Sequence, residues 1–193
     1  MTDIKSHIPK KGLVPGILDD EGPDAAAGLA DADPALIELM ELLFFAYRDF
    51  IGDPDAILDE IGFGRAHHRV LHFVNRHPGL RVADLLDILK ITKQSLGRVL
   101  KQLIDNGYIA QEAGRTDRRE RLLYPTDRGC ALASRLAGPQ FERLARAIDA
   151  AGPDGEDAVR RFLYHMISDL DRNRVSDLLN ARHPGVKTDQ ETA

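Results

Sequence analysis

A single cysteine, Cys130, stands among 193 residues, which excludes an intramolecular disulfide and any metal site built on clustered thiolates. No apolar run approaches the roughly 20 residues that a membrane-crossing helix needs. The N-terminal lysines are not followed by an apolar signal core, so a cytoplasmic protein is expected rather than a secreted one. Catalytic constellations are missing as well: no paired carboxylates, no nucleophile elbow and no metal triad. Gly62-Phe63-Gly64-Arg65 is a glycine-rich break, but no strand-like run precedes it and no Lys-Ser or Lys-Thr pair follows, so it is not a phosphate loop. An enzyme would need a further catalytic domain, for which the chain has no room. No cofactor is called for.

Bases are also scarce over one long stretch. Between Ile17 and Glu60, thirteen acids face Arg48 alone, a local balance of −12, while the whole chain is −5, so the remaining residues carry +7. Such an asymmetric field orients an approach to a polyanion, and the binding should weaken with salt. Hydrophobic content is 43%, sufficient for a core, and the length suits one domain or one domain with tails.

Residues 92 to 129 carry the most information. Thr92 is a suitable N-cap, since its hydroxyl can accept from an N–H one turn on. Leu96, Val99, Leu100, Leu103 and Ile104 follow at i, i+3, i+4, i+7 and i+8, one apolar face of a helix. Lys93, Gln94, Ser95, Arg98, Lys101 and Gln102 lie largely off that face and are the donors and cations that meet base edges and phosphates. Asn106-Gly107 supplies a left-handed stop. Tyr108-Ile109-Ala110, the turn residues 113 to 117, and Leu122-Leu123-Tyr124 then predict a hairpin. Between its strands sit Arg115, Arg118, Arg119 and Arg121, which repel one another unless an anion offsets them. Taken alone, the helix fits an ordinary solvated surface helix, and the loop a charged loop partly neutralised by Asp117 and Glu120. In this order they read as a helix-turn-helix with a wing.

This run resembles the MarR-type winged-helix transcriptional regulators. Asp117-Arg118-Arg119 matches their Asp-x-Arg wing motif. Pro125-Thr126-Asp127-Arg128-Gly129 matches the Leu-Thr-x-x-Gly that opens the next helix, with Pro125 for the usual leucine; at a strand end only one donor is lost. The likeness covers the element order from about residue 34 to 180 and is motif-specific over 92 to 129. FGRAHHRVLHFV followed by ITKQSLGRVL also resembles a PetP-like branch of the family.

The resemblance implies a mainly α fold with a small β-hairpin wing, dimerised through N- and C-terminal helices. It implies a pseudo-palindromic double-stranded DNA operator, read by one recognition helix per half-site. The implied DNA contacts are Thr92, Lys93, Gln94, Ser95, Arg98, Lys101, Arg115, Arg118 and Arg119, with Asp117 bracing Arg119 in the minor groove. Repression relieved by a small-molecule effector is the implied outcome; activation is equally compatible with the residues. The alternative from another class is a winged helix used for protein contact, with the acidic N-terminal region as partner surface.

The expected divisions are an N-terminal extension over 1–33, dimerisation helices over 34–61, the DNA-binding region over 62–129, C-terminal dimerisation helices over 130–182, and a flexible tail over 183–193. The extension carries Lys5, Lys10 and Lys11 and then DDEGPDAAAGLADAD, an acidic composition that predicts partial disorder. Asp33-Pro34 starts a helix with Ile37, Met40, Leu43, Phe44, Tyr47 and Phe50 at helical spacing. Gly52-Asp53-Pro54 predicts an interruption, with a short helix on to Ile61. Helices are expected over 65–77 and 82–89. Gly138-Pro139 predicts a kink in the long helix that begins at Thr126. After Gly152-Pro153, Val159, Phe162, Leu163, Met166, Ile167 and Leu170 form a seam-like stripe on one last helix. The stripe can pack on its own chain; the resemblance favours a dimer interface through Phe162, Leu163, Met166 and Leu170.

Two minor features remain. His68 and His72 are i, i+4 apart, which leaves a metal-responsive regulator open, yet no third ligand stands at telling spacing, and no metal site is assigned. With Tyr47, His67 and His68 are instead expected to line an effector pocket. Cys130, just inside the helix after the wing, reads as a small buried filler. The redox-sensing thiol found in part of the family lies near the start of the first helix, where this chain has none.

Overall fold

The computed structural model describes residues 32–114 and 117–181. Almost all of the N-terminal extension, the C-terminal tail, Arg115 and Thr116 lie outside the described residues, and with them the expectations of disorder and of an Arg115 contact. The elements run α1 (Pro34–Asp59), α2 (Arg65–Arg76), β1 (Leu80–Arg81), α3 (Val82–Leu89) and α4 (Lys93–Asp105). After these come β2 (Ile109–Ala113), β3 (Arg121–Pro125), α5 (Asp127–Ala150), α6 (Gly155–Met166) and α7 (Asp169–Asn180).

Two compact units part between Phe44 and Phe45, within α1. In the first, Asp33 starts the helix as expected: its Oδ1 accepts from the Ala35 N–H at 2.9 Å. Leu36, Leu39, Met40, Leu42, Leu43 and Phe44 are all exposed there.

The second unit holds the core. Val70, Leu71 and Val74 of α2, Leu85 and Leu89 of α3, and Leu96, Leu100 and Leu103 of α4 are buried. Their three- and four-residue spacing turns each helix's apolar stripe inward. Ile109 of β2, Leu123 of β3, and Leu132 and Leu136 of α5 close the cluster. The three strands form an antiparallel sheet in the order β1-β3-β2, with Leu80 opposite Leu123 and Gln111 on the other side of the same Leu123. The sequence predicts only the β2–β3 hairpin. β1 is two residues long and shows no alternation to read. It forms because Gly79, at φ 86°, turns the chain after α2 and donates its N–H to the Leu123 carbonyl at 2.8 Å.

Two local expectations are corrected. The interruption at Gly52-Asp53-Pro54 is absent, and α1 runs on to Asp59. Pro54 lacks the N–H that would bond the Phe50 carbonyl one turn earlier. Gln140 of α5 supplies the substitute, donating from Nε2 to that carbonyl at 3.1 Å, and Pro54 is fully buried. Tertiary partners thus outweigh the local penalty. At Gly138-Pro139, α5 continues to Ala150 with Pro139 inside it, as a kinked helix would. Finally, the stripe expected over 159–170 is divided. α6 ends at Met166, Ile167 is extended, and α7 restarts at Asp169. Ser168 is the N-cap of the new helix: its carbonyl accepts from the Asp171 and Arg172 N–H groups, and its hydroxyl donates to Asp171 Oδ2 at 3.1 Å. Leu170 therefore sits in the first turn of another helix, 96% exposed, and does not continue the Phe162–Met166 stripe.

α7 reaches back to α3. Asp171 pairs with Lys90 at 3.0 Å, and Arg174 pairs with Asp87 at 3.3 Å. Arg174 also donates to the Asp84 carbonyl at 3.3 Å.

Gln140→Ala is expected to destabilise the protein by about 1–2 kcal/mol by leaving the Phe50 carbonyl unpaired. The same substitution should cost much less in a Pro54→Ala background, where the helix supplies its own donor. Urea denaturation of all four proteins measures the coupling, and strictly additive losses would assign Gln140 a different role.

Candidate nucleic-acid interface

α4 begins as the sequence predicts. Thr92 Oγ1 accepts from the Ser95 N–H at 3.1 Å, and the Thr92 hydroxyl donates to Ser95 Oγ at 2.9 Å. The cap leaves Lys93, Gln94 and Arg98 exposed and Ser95 half-buried. Lys93 and Arg98 form no ion pair among the described residues. Lys101, by contrast, is paired with Asp105 at 2.6 Å, so its charge is partly spent within the helix. The far end closes with Gly107 at φ 71°; the Tyr108 N–H donates to the Leu103 carbonyl and the Gly107 N–H to the Ile104 carbonyl. These two bonds aim the chain directly into β2.

The wing is the antiparallel hairpin of β2 and β3. The Gly114 N–H donates to the Glu120 carbonyl at 3.1 Å, and the Glu120 N–H to the Asp117 carbonyl at 3.0 Å. Asp117 Oδ1 accepts the Arg119 backbone N–H at 2.8 Å. Asp117 thus fixes the backbone of the turn; no Asp117–Arg119 ion pair forms among the described residues. Arg118 and Arg119 are exposed. The wing's base is tied to α3 by Arg81, which pairs with Asp84 at 2.7 Å and Glu120 at 3.3 Å. These carboxylates hold the Arg81 guanidinium firmly protonated, through hydrogen bonds first and charge second. Sequence reading did not single out Arg81. A groove of about 420 Å³ between α4 and the sheet is lined by Lys93, Gly97, Lys101, Gln111 and Arg121 among others.

The entry to α5 explains the Thr-x-x-Gly motif. Thr126 accepts from the Gly129 N–H at 3.0 Å and donates its own hydroxyl hydrogen to the Gly107 carbonyl at 2.7 Å. A Cβ at Gly129 would overlap the Tyr108 carbonyl oxygen, so only glycine permits this approach. Arg128 donates to the Asn106 carbonyl at 2.9 Å and to the Tyr108 hydroxyl at 3.1 Å, with its guanidinium over the Tyr108 ring. Cys130, next in the chain, is partly buried rather than fully so.

The three residues expected to share a pocket do not all meet. A cavity of about 500 Å³ between α1, α2 and α5 is lined by Tyr47, Phe50, His68, His72, Phe73 and Gln140, among others. His67 is not part of it. Its ring lies on Phe63, centroids 4.4 Å apart and planes 2° apart, and its Nε2 meets Gln102 Oε1 of α4 at 2.7 Å. Consecutive helical residues diverge by about 100°, so His67 and His68 serve different neighbours. Burial holds the His68 imidazole below its ordinary range; repulsion from His72 adds to this, while Asp55 pulls the other way. His72 is lowered by burial and then by Arg76. Among the described residues no group of three or more metal-ligating side chains surrounds them.

Phe162, Leu163 and Met166 of α6 are each about half exposed, as are Phe45 and Phe141 elsewhere in this unit. No helix among the described residues is long and apolar enough to cross a membrane.

A capped helix with an outward polar face, a three-stranded wing and flanking helices define a winged helix-turn-helix of the DNA-binding class. The family model described as MarR family matches residues 61–120. The HTH-type transcriptional regulator PetP of Rhodobacter capsulatus is 43% identical over 163 residues, 84% of this chain and 98% of that protein. The HTH-type transcriptional repressor Rv2887 of Mycobacterium tuberculosis is 32% identical over 123 residues, 64% of this chain and 82% of that one. A solved MarR family transcriptional regulator from Listeria monocytogenes, complexed with 26mer DNA, has the same fold: TM-score 0.58 at 20% identity, covering 72% of this chain and 91% of that one. The chain belongs to the MarR family of DNA-binding transcriptional regulators, which are not enzymes. The resemblance to a PetP-like branch is borne out.

Because burial lowers His68, the folded protein resists its protonation while the unfolded chain does not. The stability from this source is complete above the ordinary histidine value of about 6.5 and is lost as pH falls through the lowered folded value. His68→Gln should therefore flatten the fall in melting temperature between about pH 7.5 and 5. Parallel curves for parent and variant would show that His68 carries none of it.

Proposed function

We propose that the chain is a homodimeric, sequence-specific repressor that binds a pseudo-palindromic operator and leaves it when a small molecule binds. The DNA-reading part rests on the polarity of α4: its leucines face the core while Lys93, Gln94 and Arg98 face solvent from the first turns. The first turns of a recognition helix are the part that reaches base edges in a major groove. Arg118 and Arg119 at the wing are available for the backbone or the minor groove, where arginine is favoured by a narrow, negative channel. Thr92 and Ser95 shape the helix entry and offer hydroxyls to phosphate, and Lys101 and Arg115 complete the proposed contact set.

Repression is supported by the word repressor in the name of the Mycobacterium tuberculosis relative. Pairing is supported by apolar stripes left uncovered, Leu36 to Phe44 in one unit and Phe162, Leu163 and Met166 in the other. A stripe of this size in water is offered to a second copy. Effector release is supported by the cavity that Tyr47 and His68 line, with aromatic walls and basic edges at Arg65 and Arg69. A cytoplasmic location goes with this reading, since the operator is there.

Arg98→Ala should cost about 1–3 kcal/mol on the preferred duplex and relax sequence preference. Arg119→Ala should weaken preferred and scrambled duplexes more evenly and lower the salt slope by about one unit. Asp117→Ala should partly mimic Arg119→Ala by freeing the turn, although it removes an acid, whereas Asp117→Asn keeps the acceptor and should bind normally. Fluorescence anisotropy decides; tighter binding by Asp117→Ala would mean that the wing acts only as diffuse charge.

Phe162→Glu with Met166→Glu would place unpaired charges in the proposed interface, at a cost of several kcal/mol, roughly enough to split the dimer. Light scattering that still gives a dimer for the double variant would remove α6 from the interface.

A further inference from the structure

We propose that His67 of α2 is a positioning residue for DNA binding, which turns Gln102 of α4 so that its amide NH₂ donates to a phosphate at the edge of the groove. The inference rests on the DNA-binding reading above; it extends that reading to His67 and gives Gln102, on the polar side of α4, one particular contact.

The hydrogen-bond polarity is determined by the geometry. The Gly64 N–H points at His67 Nδ1 at 3.1 Å, so Nδ1 must be the acceptor. In a neutral imidazole the other nitrogen then carries the hydrogen. His67 Nε2 therefore donates, and the group facing it at 2.7 Å must be an acceptor, the Gln102 carbonyl oxygen. The Gln102 NH₂ is left pointing away from α2, with no partner among the described residues. An amide at this site has one orientation rather than two, and the choice is made by a residue on a different helix.

The ring that enforces this is itself held. It stacks flat on Phe63, and Phe63 is buried with its edge against Tyr108, centroids 5.4 Å apart. His67 also closes the first turn of α2 through the same Nδ1 bond. The donor it presents lies in the right place. Ser95, Arg98 and Gln102 follow at i, i+3 and i+7, and line one open groove of about 470 Å³ together with Ala66 at the start of α2. Gln102 lies seven residues beyond Ser95, roughly 10 Å along the axis, so it falls outside the bases reached by the first turns and beside the sugar–phosphate rail. Lys101, paired with Asp105, lines the same groove, and the amide adds a neutral, directional donor beside it.

The test uses full-length protein and a duplex that the parent selects from a random pool, in anisotropy titrations. Gln102→Ala should weaken binding about three- to tenfold, the loss of one hydrogen bond. His67→Phe keeps the stacking ring and removes both hydrogen bonds; it should weaken binding similarly, and the double variant should be no weaker than Gln102→Ala. Single methylphosphonates along the duplex locate the contact: one position should weaken the parent but not Gln102→Ala or His67→Phe. A merely structural role for His67 would not erase one phosphate's contribution. Additive losses in the double variant, or no position-specific phosphate effect, would overturn the proposal. If His67→Phe lowers the melting temperature, Gln102→Ala with the phosphate scan remains decisive, because Gln102 is exposed. Arg98→Ala is the separate arm: if the parent selects no duplex, or Arg98→Ala binds like the parent, the DNA-reading helix itself is misassigned.

Discussion

α4 can hold only one rotation about its axis. Leu96 and Leu103 are at most 1% exposed and Leu100 only 5%, and each buried leucine is worth about 1.5–3 kcal/mol relative to water. A turn of one residue about the helix axis would surrender most of that and bring Lys93 or Arg98 toward apolar surroundings, where an unpaired charge is costlier still. The polar side of the helix is thus selected by its apolar side. Everything that meets DNA in the proposed complex inherits its direction from this packing, including the groove floor shared with Ala66 and the exit through Gly107 into the wing.

The basic residues of the lobe divide by what already holds them. Arg81 is spent on Asp84 and Glu120, Lys90 on Asp171, Arg174 on Asp87, Lys101 on Asp105, and Arg128 on Asn106 and Tyr108. Exposed pairs of this kind are screened by solvent and add little stability, so they serve more to hold helices and strands in register. Lys93, Arg98, Arg118 and Arg119 have no such partner among the described residues. The count of positive charge therefore overstates what a phosphate backbone would meet; among the described residues of the lobe, the unpaired cations other than Arg76 lie at the first turns of α4 and in the wing.

Where a feature is carried by residues close in sequence, it was legible. The Thr92 cap, the Leu96-to-Leu103 face, the Gly107 stop and the hairpin strands all match their signals, because cap, stripe and turn are local physics. Features that depend on a distant partner were not. Nothing near Pro54 announces that Gln140, far along the chain, will receive the orphaned carbonyl. His67 looks like its neighbour His68 until α2 is seen from both sides. The Ser168-x-x-Asp171 restart was local and readable, but the apolar spacing across it masked the break. β1 is too short to leave any pattern.

The joint between the wing and α5 has a geometrical consequence. With no Cβ on Gly129, and with Thr126 and Arg128 fastened to the carbonyls of Gly107 and Asn106, the helix start and the end of α4 form one rigid corner. From that corner α5 extends 24 residues without a break, a rod of about 36 Å. In the proposed dimer, two such rods work as the arms of a caliper. DNA repeats its major groove about every 34 Å along one face, and both reading helices of that proposed dimer could seat only if the caliper were set to that gauge. The angle between the rods, far from any base, then decides whether the jaws fit. Since the corner yields so little, an error at the pivot is passed on to the jaws rather than absorbed along the way.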